Sequence, residues 1–554
     1  MSCVGKVFSG IINARVVYYC EENGVFQDEQ NGFRKSRSCE DPLFVLTSII
    51  RNRLSEGRGT FCAFIDMQKA FDWVDRDLLF YKLLKYNIRG KIYQCIKALY
   101  SHPLACIKVN NNMTEWFEIG SGVRQGDSLS PSLFGLFIND LISEIKTLDI
   151  GVQVKNELIS ILAFADDIVI LAENEKDLQK MLRHVEMWCK KWRLKVNTDK
   201  TNVVHFRKKN TQVTRFNFFF DGTSLKVVDK YKYLGTMLHE HLDYNVTSTI
   251  LAAAAGRALG SVISKFKLLK NVGYQTFYKM FHSNVVPIVD YCSSVWGYNS
   301  ADSGNKIQYR AIRYFLGVHP KAPLLALEGD IGWMSCKTRH NVNMIRLWNR
   351  YINMNDTRLT KRVFLWDYEM CKNWCLEVKQ IFNSIEYHSV FEDKEICDIK
   401  TVQSRLVDKR NYVWKESLPQ KPKLRTYVKF KENIYTESYV KNCVHRRRRS
   451  LLAQFRLGIL PLHIETGRFR GKSLEERVCL LCGNGDIENE IHFVCSCSIY
   501  NNLRRELYSK LTNDGFVTLS DEEKCIFLVQ NHWKDLSLYI EYAWEKRTKL
   551  LYNM

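Results

Sequence analysis

A chain of 554 residues is too long for a single hydrophobic core and calls for several domains. With 46% hydrophobic and 12% aromatic residues it is not a disordered chain, and 81 Lys and Arg against 60 Asp and Glu leave a net charge of +21, which suits a polyanion, nucleic acid first and a membrane surface second. Eighteen cysteines, scattered singly except near Cys479, speak against a disulfide framework and for an intracellular chain, and neither a secretory signal nor a run of about 18 apolar residues is present to predict export or a bilayer span.

Residues 1–60 alternate helical patterns with the polar stretch 30–41, where Asn31-Gly32 signals a turn and Arg34, Lys35 and Arg37 offer cations to a phosphate. Phe61 to Ile65 reads as a buried strand that stops at Asp66. A helix is expected from Asp75, its cap, burying Leu79, Leu83 and Tyr86. Phe71, five residues past Asp66, is placed to lie against whatever that acid helps to hold. The loop 120–131 has three glycines for close backbone approach, and Ser130-Pro131 opens a helix as N-cap and first-turn proline. That helix should bury Phe134, Phe137, Ile138, Leu141, Ile142 and Ile145. Residues 161–171 are two apolar runs flanking Asp166-Asp167, the pattern of a hairpin with acids at its turn. Adjacent carboxylates repel, and a divalent cation resolves that repulsion with Asp66 as the third carboxylate.

In this order and spacing, Ala63 through Asp72, Gly122 through Pro131 and Phe164 to Asp167 resemble motifs A, B and C of reverse transcriptases of non-LTR (LINE-type) retrotransposons. Trp192 to Thr201 looks like motif D, Tyr231 to Gly235 like motif E, and Asn31 to Arg34 like the fingers motif ahead of the palm. The resemblance implies an α+β right-hand polymerase: partial fingers at 1–60, a palm at 61–240 and a helical thumb at 241–350. It implies an RNA template, a DNA primer or target DNA, and deoxynucleoside triphosphates. Two Mg²⁺ ions would serve in-line phosphoryl transfer, held by Asp66 and Asp166 with Asp167 in support. Phe71 matches the steric gate against a ribose 2′-hydroxyl. Arg124, Gln125, Gly126 and Arg34 match nucleotide-binding positions, Lys200 a proton donor to pyrophosphate, and Tyr233, Leu234 and Gly235 the primer grip. Two parts of complete members are not matched, an earlier fingers segment and an upstream nuclease. The chain therefore reads as the downstream part of an open reading frame, with a catalytically silent nucleic-acid-binding remnant as the rival reading.

Residues 245–350 read as helices, and 351–440 as a helical connector with a turn at Leu418 to Lys423. His445 precedes Arg446, Arg447, Arg448 and Arg449, with Arg456, Arg468, Arg470 and Lys472 beyond, a basic run expected to touch nucleic acid. Cys479-x₂-Cys482 with His492 and Cys497 carries zinc-ligand chemistry, Cys495 being the alternative fourth ligand. The His-x₄-Cys spacing is similar to the C-terminal cysteine–histidine motif of LINE-type elements. Residues 441–554 would then be a basic, zinc-bearing tail closed by two or three amphipathic helices over 499–552.

Overall fold

Six strands form the sheet on which the candidate site is built: β1 (Thr60–Asp66), β2 (Ile161–Phe164), β3 (Asp167–Ala172), β4 (Asn202–Phe206), β5 (Phe218–Phe220) and β6 (Thr223–Val227). Their order is β5-β6-β4-β1-β3-β2, antiparallel throughout except for β4 beside β6. In this computed structural model the described residues are 3–552, apart from His102, Asn111, Lys270, Asn299, Ser300, Thr512 and Asn513. The chain divides into two units. Unit one comprises Met1–Thr247, Cys292–Asn299 and Asn343–Cys397, and unit two Ser248–Tyr291, Ser300–Val342 and Asp398–Met554.

In unit one, β1 is central and covered on both faces, which is why Phe61 to Ile65 is an unbroken apolar run rather than an alternating one. The helices Ser130–Lys146 and Glu175–Trp192 share its core, bringing Phe134, Phe137, Leu141, Met181 and Val185 together with Ala63 and Ile65. Ser130–Lys146 buries more than its expected face, since Leu133 and Leu136 are also sealed. Leu129, not Ser130, is its N-cap, and the Ser130 hydroxyl meets the Tyr100 hydroxyl at 3.2 Å instead of capping. Asp75 does cap Arg76–Lys85, accepting from the N–H groups of Asp77 and Leu78. Two turns on from the cap, Lys82 is wholly buried against Asp140 (2.7 Å) and the rings of Trp192, Phe137 and Trp188; burial pushes its amine down to about 8.

Residues 343–397, which the sequence divided between thumb and connector, cluster with unit one. Arg350 and Arg358 from this stretch reach the buried Asp41 carboxylate at 2.6 and 3.3 Å, on the helix Glu40–Ser55. A sequence reading has no access to that join, because the charges that meet are some 300 positions apart along the chain (309 for Arg350 and Asp41).

Unit two is helical among the described residues, with one isolated bridge between Val478 and Ile487. Its core gathers Leu259, Phe277, Phe315, Trp333, Leu452 and Phe493. At its centre Asp330, with no exposed surface, takes a forked pair of hydrogen bonds from Arg456 (2.9 and 3.0 Å) and one each from the Tyr427 and Tyr439 hydroxyls. Arg456 is therefore a core residue rather than part of a basic surface. Tyr244–Leu268 departs from the expectation of no bilayer-length segment, being long and apolar enough to cross one. Within unit two the same helix buries Ala255, Leu259, Val262 and Phe266 in the core. Among the described residues the tail closes with the α-helices Asn501–Tyr508, Asp521–Asn531 and Trp533–Tyr552.

Candidate active site

Asp66 ends β1 and stands directly opposite Asp167, the first residue of β3, in the antiparallel register. Asp167 in turn pairs with Phe164 across the β2–β3 hairpin, leaving Ala165 and Asp166 as a two-residue turn. The turn is strained, because Ala165 has φ +57°, the left-handed region that non-glycine residues avoid. Burial, then Asp166, then Asp66 push Asp167 up to about 6, and burial with Asp66 nearby raises Asp166 as well.

The strained turn is held by a residue that the sequence reading did not single out. Gln30 is buried, and its Oε1 accepts from the Ala165 N–H and from the Gly32 N–H, both at 2.8 Å. Its Nε2 donates to the Ala165 carbonyl at 3.3 Å. The Asn31 N–H bonds the Ala163 carbonyl at 2.8 Å, so 30–31 lies alongside β2 as a short parallel bridge. Gly32 is more than a turn residue here, since a Cβ would sit 2.2 Å from the Ala165 nitrogen. The only signal in the sequence was adjacency to Asn31-Gly32.

Arg34 does not face outward. Its guanidinium pairs with Glu21 (2.6 and 2.7 Å) and donates to the carbonyls of Gln27 and Gln30, which corrects the expectation that it meets a phosphate. Arg37 is likewise taken up by Asp28.

Beyond Asp66 the backbone returns to the 195–201 segment. The Asp66 N–H donates to the buried Thr201 hydroxyl, and the Asp66 carbonyl accepts from Asn197. Lys200, one residue before Thr201, is exposed. Phe71 is half-buried, stacked on Phe134 at 5.0 Å and edge-on to Phe33 at 6.5 Å. Gly122 locks the glycine loop to this turn: its N–H bonds the Val74 carbonyl, and at φ +84° a Cβ would come within 2.8 Å of the Asp72 carbonyl oxygen. Gln125 donates to Asp72 at 2.9 Å, and Gly126 opens onto free space at φ +79°. Arg124 instead donates to the Leu99 carbonyl and covers the Tyr100 ring.

Tyr233, Leu234 and Gly235 form a tight hairpin between Lys230–Tyr233 and Thr236–His239, with Leu234 and Gly235 both at positive φ, the geometry that matches strand twist. Tyr231 on this hairpin stacks on Phe64 of β1 at 4.4 Å, which ties it to the strand that carries Asp66. A cavity of about 1120 Å³ in unit one is lined by Gln68, Trp73, Arg76, Tyr100 and Lys195 and by none of the three acids.

In unit two, Cys479, Cys482, His492 and Cys497 place their ligand atoms within 4.8 Å of one another. Cys479 Sγ is 4.0 Å from Cys497 Sγ, and Cys482 Sγ 3.6 Å from His492 Nε2. Hydrogen bonding from Cys497 holds the Cys479 thiol well below its ordinary range. Cys495 belongs elsewhere, beside Cys525 and Tyr508. The arginine run is only partly a surface. Arg449 is buried, donating to the carbonyls of Phe315, Cys443 and Val272, and Arg448 and Arg447 pair with Glu541 and Glu545. Arg446 lies over the Tyr314 ring.

Residues 1–238 match the family described as "Reverse transcriptase (RNA-dependent DNA polymerase)". Among curated proteins, the "Retrovirus-related Pol polyprotein from type-2 retrotransposable element R2DM" of Drosophila melanogaster is 30% identical over 213 residues, 37% of this chain and 20% of that one. The "Probable RNA-directed DNA polymerase from transposon BS" of the same organism is 27% identical over 318 residues, 56% of this chain and 34% of that one. The chain thus spans between a fifth and a third of the length of these relatives. Among solved structures, a telomerase from Candida albicans overlaps 65% of this chain and 57% of its own at 12% identity and a TM-score of 0.32, too loose a match to carry further argument.

Proposed function

We propose that this chain is a reverse transcriptase of the non-LTR retrotransposon type, an RNA-directed DNA polymerase that extends a DNA primer along an RNA template; the family match over residues 1–238 and the similarity to retrotransposon polymerases support the reading. The observation that carries the reading is the register that sets Asp66 opposite Asp167 with Asp166 on the adjoining turn. Three carboxylates on two strand ends and one turn, with Asp166 raised by burial and by Asp66 and Asp167 by burial and by both neighbours, are a donor set fitted to a hard divalent cation. Mg²⁺ bound there would supply charge neutralisation at the attacking and leaving oxygens of phosphoryl transfer. Asp66 and Asp166 would be its principal ligands and Asp167 the supporting one.

The other residues position the substrates. Phe71, braced by Phe134, would set the wall under the sugar and refuse a 2′-hydroxyl. Gln125, tied to Asp72, and Gly126 would form the floor beneath the base pair. The Tyr233–Gly235 hairpin would hold the primer end. Lys200, exposed and next to the Thr201 that bonds Asp66, would offer a proton towards pyrophosphate. In the tail, Cys479, Cys482, His492 and Cys497 would bind one structural Zn²⁺, a ligand set of the closed kind, with Arg446 turned to nucleic acid. Deoxynucleotide incorporation on a primed RNA template tests the reading. Template binding without any incorporation would favour the silent remnant.

A further inference from the structure

Away from the cysteine–histidine tail, a second group of ligand-type side chains converges in unit two. Asp290, Cys336 and His340 bring one donor atom each within 4.8 Å of the others. His340 Nε2 is 3.3 Å from Cys336 Sγ and 3.2 Å from Asp290 Oδ1, and the third edge, Sγ to Oδ1, is 3.9 Å. Tetrahedral Zn²⁺, with bonds of about 2.3 Å to sulfur and about 2.0–2.2 Å to nitrogen and oxygen, sets its donors roughly 3.3–3.7 Å apart. The triangle fits within a few tenths of an ångström.

Hydrogen bonding alone accounts for it poorly. Arg339 Nη2 (3.1 Å), His340 Nε2 and Cys336 Sγ all point at the same Asp290 Oδ1, which has two lone pairs for three donors. A cation that replaces the thiol and imidazole protons binds all three atoms and leaves Arg339 as the carboxylate's outer partner, through Nε to Oδ2 at 2.6 Å. The local sequence serves the same end. Cys336 and His340 are one turn apart at the start of the helix Cys336–Ile352, so their side chains share a face. Asp290 closes the short helix Val286–Val289. Gly304 makes room, since a Cβ there would lie 2.5 Å from Cys336 Sγ. Cys336 and His340 are buried at 0% and 1% exposure, which excludes a substrate and suits a clasp.

We propose that Asp290, Cys336 and His340 form a further metal centre that takes one Zn²⁺ and pins the end of Val286–Val289 to the helix Cys336–Ile352. It is independent of the polymerase reading and of the Cys479 site. The test is the zinc content of the full chain, purified with reducing agent, loaded with Zn²⁺ alone and freed of excess by dialysis. The wild type should hold two zinc ions per chain, and the double variant Cys479→Ser/Cys482→Ser and the single variant Cys336→Ser one each. Cys336→Ser alters a wholly buried side chain, so Cys479→Ser/Cys482→Ser loaded with Co²⁺ gives a second readout that leaves Cys336 in place. The expected spectrum there is a tetrahedral Co²⁺ band with charge transfer from a single thiolate. One zinc in the wild type with none in Cys479→Ser/Cys482→Ser overturns the proposal while leaving the tail site standing. A folded Cys336→Ser that keeps the wild-type count overturns it as well.

Discussion

Asp66 and Asp167 face each other across the β1–β3 ladder, a like-charged pair at the one point where the sheet meets the Ala165–Asp166 turn. Directly opposed carboxylates destabilise a sheet unless something neutralises them. Asp167, raised by burial, Asp166 and Asp66 to about 6 from an ordinary 3.8, keeps a proton in the folded state that the unfolded chain has already released over that window. Folding stability is therefore lost as pH rises from about 4 to about 6, and stays lost above it. In metal-free protein, Asp167→Asn should melt about 2–4 °C above wild type at pH 7.5, a modest gain because solvent screens the site, and the difference should shrink towards zero near pH 4. Millimolar Mg²⁺ should raise the wild-type Tm and move the variant less. Equal melting curves at both pH values would remove the repulsion from the account.

Gln30→Leu strips the Ala165 and Gly32 N–H groups of their buried acceptor, at about 1–3 kcal/mol for each unsatisfied donor. The turn that carries Asp166 should then relax from its left-handed conformation. Primer extension should fall at least about tenfold in kcat with the KM for primer little changed, since binding does not pass through Gln30. A variant that folds and extends at the wild-type rate would show that Ala165 holds its conformation unaided.

Phe71→Val removes the ring stacked on Phe134. Single-nucleotide incorporation with matched deoxy- and ribonucleoside triphosphates should show ribonucleotide use rising by about tenfold or more, as expected when a steric exclusion is lifted. Unchanged discrimination in an active preparation would take Phe71 out of this role.

The two ends of the arginine run should behave differently. Arg446→Ala should weaken RNA binding and lower the log–log salt slope by about one, the signature of one lost phosphate contact. Arg449→Ala should leave the slope unchanged and lower the melting temperature, because it abandons three buried carbonyls. Removing zinc with a chelator should unfold the 479–497 segment while unit one keeps its melting transition.

Much of the centre was legible because it is local. The apolar runs on either side of Asp66 and of Asp166-Asp167 are each one strand, and Asp75 caps the helix that follows it. Cys479, Cys482, His492 and Cys497 lie within 19 consecutive positions. The arrangements that escaped depend on distant partners. Gln30 meets Ala165 across 135 positions and Arg448 meets Glu541 across 93, so neither pairing leaves a periodicity or a motif. Arg34 and Arg449 read as surface cations for the same reason: a basic run looks alike in sequence whether its partners are phosphates or its own carbonyls and carboxylates. The placement of 343–397 with unit one turned on Arg350 and Asp41, and helical periodicity says nothing of which core a helix joins.

The most direct test of the central claim is extension of a labelled DNA primer on an RNA template, with deoxynucleoside triphosphates and Mg²⁺, by the wild type and by Asp166→Asn. The wild type should extend the primer in a template-dependent way, the variant should lose at least about a hundredfold, as for removal of a principal charge-stabilising group, and both should bind template within about twofold of each other. Extension that survives unchanged in Asp166→Asn would contradict the claim, as would a wild type that binds primed template and adds no nucleotide.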